Sequence, residues 1–428
     1  MSGTQNSALS SSAQSSSAQS SSALPSGTPA NGQGSNSVNI RHFNERVILN
    51  ALRRLGQASK ADLSRYVSLT NNTAGVIVKE LEERKLIRSE GKRSGGRGQP
   101  ATLLSLDPDG AHAIGVTFGR RSIDTLLVDF RGHVLDRRHH ELDFPMPDEA
   151  IGLALHDIAA LRNALPKSAR ARMAGIGIAT PYDMGSWRRE LDIASEAYRV
   201  WNEVDLASRL TAATGLPVFR ENDGTAAAVA EMFRGRGREL DNFVHVFIGA
   251  AVGGGIVLNS EYYRGPTGYG GDIGLMPVGP SRLATAPAPA RSHDILLTRA
   301  SINSLIRHLR GNGVAISSRT EVEEAFTRHP ALVGEWLDDC ADALVVPLLS
   351  CARLLDVEAI VLDGDMPQGI KEDLMERLVP LLDAATPEAR KSPRLLMGMI
   401  GREASALGAA ILPLHLNFSP NREILVNQ

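Results

Sequence analysis

Apolar residues recur at helical spacing from residue 44 to about residue 83, and the pattern then changes to strand-like runs. Ile48, Leu52 and Leu55 fall at i, i+4 and i+7, which gives a first helix one apolar stripe, and Gly56 ends it. Ser59 with Asp62 three residues on is a capping-box variant that starts a short second helix, turning Leu63 and Val67 inward. A turn at Ser68 and Leu69 leads to a third helix, capped by Thr70 or Asn71, whose Ala74, Ile77 or Val78, and Leu81 face a core. Asn71, Asn72, Thr73, Gly75 and Lys79 are left near its exposed N-terminal side. Residues 85–90 and 101–106 read as the strands of a hairpin whose tip sets Lys92, Arg93 and Arg97 among Gly91, Gly95, Gly96 and Gly98. Three helices followed by a basic hairpin are the layout of a winged helix-turn-helix. In that layout Asn71, Asn72, Thr73 and Lys79 would enter a major groove, while Lys92, Arg93 and Arg97 would lie against the backbone or minor groove of double-stranded DNA.

Beyond residue 113 the periodicity is that of an α/β protein. The strand-like runs AIGVTF, IDTLLVDF and HVLDRRH precede a helix over about 148–165 and a further strand, MAGIGIAT. A second set follows: FVHVFIG, GGGIVLN, EYYRG, a long helix around 336–355, and EAIVLDG. Three strands, a helix and another strand, met twice, suggest two ribonuclease-H-like lobes facing across a cleft, an actin-like architecture. The expected organisation is a tail over 1–37, a winged head over 38–106, a first lobe over 107–229 completed by a C-terminal helix at 401–413, and a second lobe over 230–400.

Composition sharpens this division. The first 37 residues are almost all Ser, Ala, Gln, Gly, Asn and Pro and carry no charge, so they are expected to be disordered. The net charge of −2 conceals an asymmetry: residues 38–106 hold 13 Lys or Arg against 6 Asp or Glu, and the remainder is acidic. A basic head on an acidic body suits phosphate contacts at one end only. No apolar run is long enough for a membrane span and no signal-peptide pattern opens the chain, so a cytoplasmic protein without membrane contact is expected. Cys340 and Cys351 lie on the same expected helix, about 16 Å apart, too far for a bridge, and read as core thiols.

Four stretches carry a resemblance to a known family. LPVFRENDGTAAAVAE at 216–231, IGAAVGGGIVLN at 248–259, RGPTGYGGDIGLMPVG at 264–279 and LDVEAIVLDG at 355–364 resemble the ROK family of sugar kinases and sugar-responsive repressors. With a winged head in front, the chain is similar to the repressor branch. The resemblance implies that Asn222 and Asp223 meet sugar hydroxyls, with Asp223 at the position of the kinase base. Asp272 would also reach the sugar, and Gly271 and Thr180, with the loop 180–183 and the turn 268–271, would shape the pocket. Taken only as residues, Asn222 and Asp223 could also simply cap the alanine-rich helix that follows, which does not exclude a binding role.

Departures from the family pattern are as informative. Where the family has Glu-x-Gly-His, this chain has Asp272, Ile273, Gly274 and Leu275, and leucine cannot bind a metal. The cysteine cluster that completes the family's zinc site is missing from 280–298, where His293 stands alone, so no metal and no other cofactor is expected. His133, His139 and His140 read as surface histidines, the last two on opposite faces of a strand. The family's first phosphate loop, Asp-x-Gly-Gly-Thr, is replaced by Thr117, Phe118, Gly119, Arg120 and Arg121. The second reads Gly249, Ala250, Ala251, Val252, Gly253, Gly254, Gly255 and lacks the threonine and one glycine. The expectation is a non-enzymatic regulator, binding an operator as a homodimer or homotetramer and sensing a sugar or sugar derivative. Two alternatives are a sugar kinase carrying a DNA-binding head, and a body that serves only as an oligomerisation scaffold.

Overall fold

The computed structural model describes residues 37–93, 101–142, 145–184, 196–289, 292–421 and 425. Residues 1–36 of the expected tail and Arg97 lie outside the described residues, and Ser37, expected in the tail, already belongs to the first helix.

The head begins with the helix Ser37–Leu55, followed by Lys60–Tyr66 and Asn71–Glu83. Ile48, Leu52, Leu63, Ala74, Ile77, Val78 and Leu81 are all buried in one core, so both Ile77 and Val78 turn inward. The capping box at Ser59 and Asp62 is formed, each side chain meeting the other residue's amide. Thr70, rather than Asn71, caps the third helix, its hydroxyl accepting from the Thr73 amide. A three-stranded antiparallel sheet closes the head, with Ala101–Leu106 between Ala58–Ser59 and Ile87–Arg93. The first hairpin strand starts two residues later than its sequence suggests and runs on to Arg93. A bulge between Ser89 and Gly91, where Gly91 has φ +114°, carries the pairing past the expected end.

Two five-stranded sheets follow with one topology. In the first, the order is Val134–Glu141, Ser122–Asp129, His112–Phe118, Met173–Thr180, Val218–Asn222; in the second, it is Glu261–Tyr263, Val252–Leu258, Phe243–Ile248, Ala359–Gly364, Leu395–Met397. Each sheet has three antiparallel strands and then two parallel ones. The helix that leaves each sheet's last strand crosses to the other sheet. Asp223–Arg234 leaves the first sheet and packs on Val252–Leu258, whereas Ala404–Phe418 follows the second sheet and packs on His112–Phe118 and Met173–Thr180.

These two crossing helices lie against each other and form the hinge between the lobes. Small residues make the approach possible. A Cβ on Gly177 would stand 1.8 Å from the Ala409 carbonyl oxygen, and one on Gly408 would stand 1.7 Å from that of Ala226. Cys340 and Cys351 are free and buried in the helix Pro330–Leu355. Burial pushes both thiols up from their ordinary values, as fits core residues. Among the described residues, no helix is long and apolar enough to cross a membrane.

The head is packed on the hinge by specific contacts. Arg46 donates to the carbonyls of Leu416 and Ser419, at 3.0 and 3.2 Å, at the end of the C-terminal helix. Arg53 donates to Ser419 Oγ at 3.2 Å, and its guanidinium lies 3.9 Å from the ring centre of Phe233, on the other crossing helix. Arg54 pairs with Asp241 at 2.5 Å. On the first lobe, Arg131 meets Glu90 and Ser105 of the hairpin, at 2.8 and 2.6 Å.

Candidate functional site

Between the lobes lies a cleft of about 680 Å³, lined from both sides. That volume suits a small organic ligand. The first lobe contributes the strand end at Asn222, the loop 119–122 and the segment at Pro181 and Tyr182; the second contributes residues 249–254 and 271–275.

Asn222 is the N-cap of the crossing helix. Its Oδ1 accepts from the amides of Gly224 and Thr225, at 2.9 and 3.3 Å, and its Nδ2 donates to the Thr180 carbonyl at 3.4 Å and to Asp223 Oδ1 at 3.0 Å. Capping and positioning of Asp223 are therefore one arrangement. Thr180 stands behind this wall, 2% exposed, and acts through its carbonyl, while Pro181 and Tyr182 reach the cleft. Asp223 and Asp272 face each other from opposite lobes. Burial raises the pKa of both; Arg120 opposes the rise at Asp223, and the Asp223 charge adds to it at Asp272. Two carboxylates in one desolvated cleft are poorly satisfied by the protein alone and well suited to accept from hydroxyl groups.

Aromatic and glycine residues shape the rest of this end. Tyr182 packs on Tyr269 with ring centres 4.9 Å apart. Its phenol is pushed up to about 12 by burial and by the nearby charges of Asp272, Glu221 and Asp223. Gly271 has φ +87°, and a Cβ there would stand 2.8 Å from Gly255 Cα, so the turn that delivers Asp272 requires glycine. Arg264 fastens the same segment to the first lobe by pairing with buried Glu221 at 2.6 Å. Sequence reading did not single out Tyr182 as an individual residue, Arg264 or Glu221.

The other end of the cleft holds the two segments that the sequence resemblance set against the family's phosphate loops. Arg120 projects from the first and donates to the carbonyls of Asp183 and Met184, at 2.9 and 3.4 Å. In the second, the carbonyls of Gly249 and Ala250 receive the Ile302 and Asn303 amides, at 2.9 and 3.3 Å, so the start of the helix Ile302–Gly311 is spent on this loop. Its glycines serve packing: a Cβ on Gly255 would lie 2.4 Å from that of Ala228 on the crossing helix.

A model described as the ROK family matches residues 113–415. The chain belongs to the ROK family. It is 23% identical over 372 residues to a xylose repressor of Bacillus spizizenii, a match covering 86% of this chain and 94% of the relative. A glucokinase of Halalkalibacterium halodurans is 24% identical over 316 residues, covering 70% of this chain and 94% of that protein. A solved structure of a ROK family transcriptional regulator, a homologue of the E. coli MLC protein, superposes with a TM-score of 0.64 at 21% identity and covers 91% of this chain and 99% of its own.

Within this ROK chain, the segment from Asp272 onward, where zinc ligands expected from the resemblance are missing from the sequence, is held by contacts between side chains and backbone. Asp272 opens a short 3-10 turn, Ile273–Leu275, and Leu275 lies 38% exposed on the cleft wall. The loop that follows is tied down by buried Asp339, which accepts from Ser281 Oγ at 2.9 Å and from the Arg282 amide at 3.1 Å. Arg299 completes the tie, reaching Asp339 at 2.7 Å, Asp342 at 2.9 Å and the Gly279 carbonyl at 3.0 Å. The three other histidines weighed for a metal each meet a separate carboxylate: His133 with Asp129, His139 with Asp124, His140 with Asp157.

At the far end of the molecule, Asn71, Asn72, Thr73 and Lys79 are exposed on the third helix of the head, and Lys92 is exposed on the hairpin. Arg93 ends the strand beside it. Val76 is 55% exposed in the middle of the same polar face, an apolar group that sequence reading passed over. Gly75 lies inside this unbroken helix, and a Cβ there would meet nothing within 4 Å. Packing within the protein gives no reason for that glycine.

Proposed function

We propose that this ROK protein is a sequence-specific DNA-binding transcriptional regulator, a repressor, whose cleft senses a sugar or sugar derivative. The observation that carries this reading is the course of one helix. Asp223–Arg234 begins in the cleft, where Asn222 caps it, and ends with Phe233 under Arg53 of the head. A ligand that bridges Asp223 and Asp272 would draw the lobes together, and the hinge helix would move the surface on which the head is seated. A ligand acts in this way only by binding one lobe angle better than the other.

The head supplies the DNA-reading surface. Asn71, Asn72, Thr73 and Lys79 face base edges and phosphates of a major groove, Val76 faces a thymine methyl, and the bare backbone at Gly75 permits close approach. Lys92 and Arg93 on the hairpin, with Arg97 beyond it, contact the backbone or minor groove. Paired heads in a homodimer or homotetramer would meet half-sites about 34 Å apart or a multiple of that distance, so a small rotation abolishes simultaneous contact. The repressor relative's match extends over a larger share of this chain than the glucokinase's, which supports reading the head as part of the function.

In this reading the body does not transfer phosphate. Arg120 and Arg121 stand where a nucleotide's phosphates would approach backbone, and the amides at the start of helix Ile302–Gly311 are already engaged. The sugar end keeps its carboxylates while the nucleotide end has been refilled. A regulator of this kind works in the cytoplasm, the compartment that holds its operator.

Fluorescence anisotropy on fragments of the promoter next to the gene, with and without a panel of mono- and disaccharides, tests the proposal. Salt-sensitive binding that one sugar changes at least tenfold is expected. Sugar-stimulated ATP turnover without DNA binding would replace this reading with the kinase one.

A further inference from the structure

Away from the cleft lining, three buried side chains from three different elements converge. Glu231 lies near the C-terminal end of the crossing helix, His245 on the strand Phe243–Ile248 and Asp363 on the adjacent strand Ala359–Gly364. Each offers one donor atom, these atoms lie within 4.8 Å of one another, and all three residues are 0% exposed. None of the three lines the cleft.

Two members of the group are firmly oriented. Glu231 Oε1 accepts from the Arg236 amide at 2.9 Å and its Oε2 from the Met399 amide at 3.1 Å. Asp363 Oδ1 accepts from the Gly364 amide at 2.8 Å and from Lys371 Nζ at 2.9 Å, and its Oδ2 from the Gly401 amide at 2.6 Å. One lone pair remains on Glu231 Oε2 and one on Asp363 Oδ2, since each carboxylate oxygen has two. His245 is the contrast: neither Nδ1 nor Nε2 has a hydrogen-bond partner. A core imidazole is ordinarily bonded through at least one nitrogen, because a buried polar atom left unmade costs about 1–3 kcal/mol. The charges are also unbalanced, with two buried carboxylates against the single ammonium of Lys371.

An imidazole nitrogen aimed between two carboxylates answers both deficits at once if a cation sits between them. We propose that Glu231, His245 and Asp363 bind a divalent transition-metal ion, zinc in preference to calcium or magnesium, which pins the crossing helix to the central strands of the second sheet. One nitrogen and two oxygens suit zinc, whereas calcium and magnesium select oxygen alone. Ligands around zinc stand about 3.3 Å apart for bonds of about 2.0–2.1 Å, so the group closes on an ion by side-chain movements of about 1 Å. The amides of Arg236, Met399 and Gly401 act as the outer shell that aims the carboxylates. Lys371 stays on Asp363 Oδ1, the remaining lone pair of Oδ2 serves the ion, and a water completes the coordination.

The placement gives the ion a consequence. Glu231 belongs to the helix that starts at the cleft, and the Met399 and Gly401 amides belong to the segment that enters the second crossing helix. A bound ion therefore fixes both connections between the lobes. This site is independent of the sugar-sensing reading.

The test uses the untagged full chain, stripped with chelator, dialysed, and titrated with Zn²⁺ and Co²⁺. One equivalent per chain is expected, with visible ligand-field bands and paramagnetically shifted protons of a single imidazole in the Co²⁺ form, and a raised unfolding temperature with Zn²⁺. Binding should weaken at least about tenfold in His245→Gln and in Asp363→Asn, and remain in the surface variant His139→Gln. Uptake far below one equivalent by the unmodified chain, or full uptake retained in both buried variants, overturns the proposal. Should those variants fail to fold, the spectrum of the unmodified chain decides alone: no coordinated imidazole, or more than one, overturns it as well.

Discussion

The two ends of the crossing helix Asp223–Arg234 live in opposite environments. At its start, Asn222 and Asp223 open onto a cavity, and the paired carboxylates of Asp223 and Asp272 are held in a place that disfavours their charge. At its end, Met232 and Phe233 are buried against the head and hinge, with the Arg53 guanidinium stacked on the ring. One end awaits a partner; the other already has one. The difference teaches where free energy can enter. In the proposed reading, ligand hydroxyls at the cleft would relieve an electrostatic penalty, whereas the packed end would only pass on a displacement.

Phe233→Ala breaks the packed end and carries the largest expected effect, a loss of about 3–5 kcal/mol from cavity formation. Chemical denaturation measures it, and sugar binding to the folded fraction should survive while its influence on DNA affinity disappears. Asn222→Ala attacks the open end. Loss of the cap costs about 1 kcal/mol, and the same substitution releases Asp223 from its position, so sugar affinity in calorimetry should fall by at least tenfold.

Asp272→Asn should work in the other direction, stabilising the ligand-free protein by about 0.5–1 kcal/mol while removing the sugar response. The sign follows from the raised pKa of Asp272 in the folded state. Folded protein keeps that proton over a range where unfolded protein has lost it, so stability falls as pH rises from the ordinary carboxylate value through the raised one. The advantage of Asp272→Asn in thermal unfolding should accordingly grow as pH rises above the ordinary carboxylate range and vanish near about pH 4. Gly75→Ala, at the far side of the head, should stabilise the fold by about 0.5–1 kcal/mol because helix propensity improves and no clash arises. If Gly75 is there for a duplex, operator affinity should fall despite that gain.

Local signals were legible in the sequence. The helices of the head, the box at Ser59 and Asp62, the strand runs of both lobes and the motif around Asn222 and Asp223 depend on residues a few positions apart, and spacing exposes them. What escaped were contacts made across the chain. The tie between Arg299 and Asp339 that organises the loop after Val278 joins two helices, and no local pattern marks it. Arg53 reads as one more basic residue of the head until Phe233 is seen beneath it. Glu231, His245 and Asp363 each look ordinary in their own helix or strand, because only the pairing of Phe243–Ile248 with Ala359–Gly364 brings two of them together and only the crossing helix adds the third. The early end assigned to the first hairpin strand has a smaller cause, the bulge before Gly91, which shifts register without changing the apolar pattern.

In the proposed mechanism, occupancy of the cleft controls the grip of the head on DNA. The direct measurement is operator dissociation of the full chain, followed by anisotropy at fixed salt, as the active sugar is titrated against the unmodified protein and Asp272→Asn. Sugar should change the operator dissociation constant of the unmodified chain at least tenfold and leave that of Asp272→Asn unchanged. Equal operator affinity with and without every sugar bound in the cleft would contradict it.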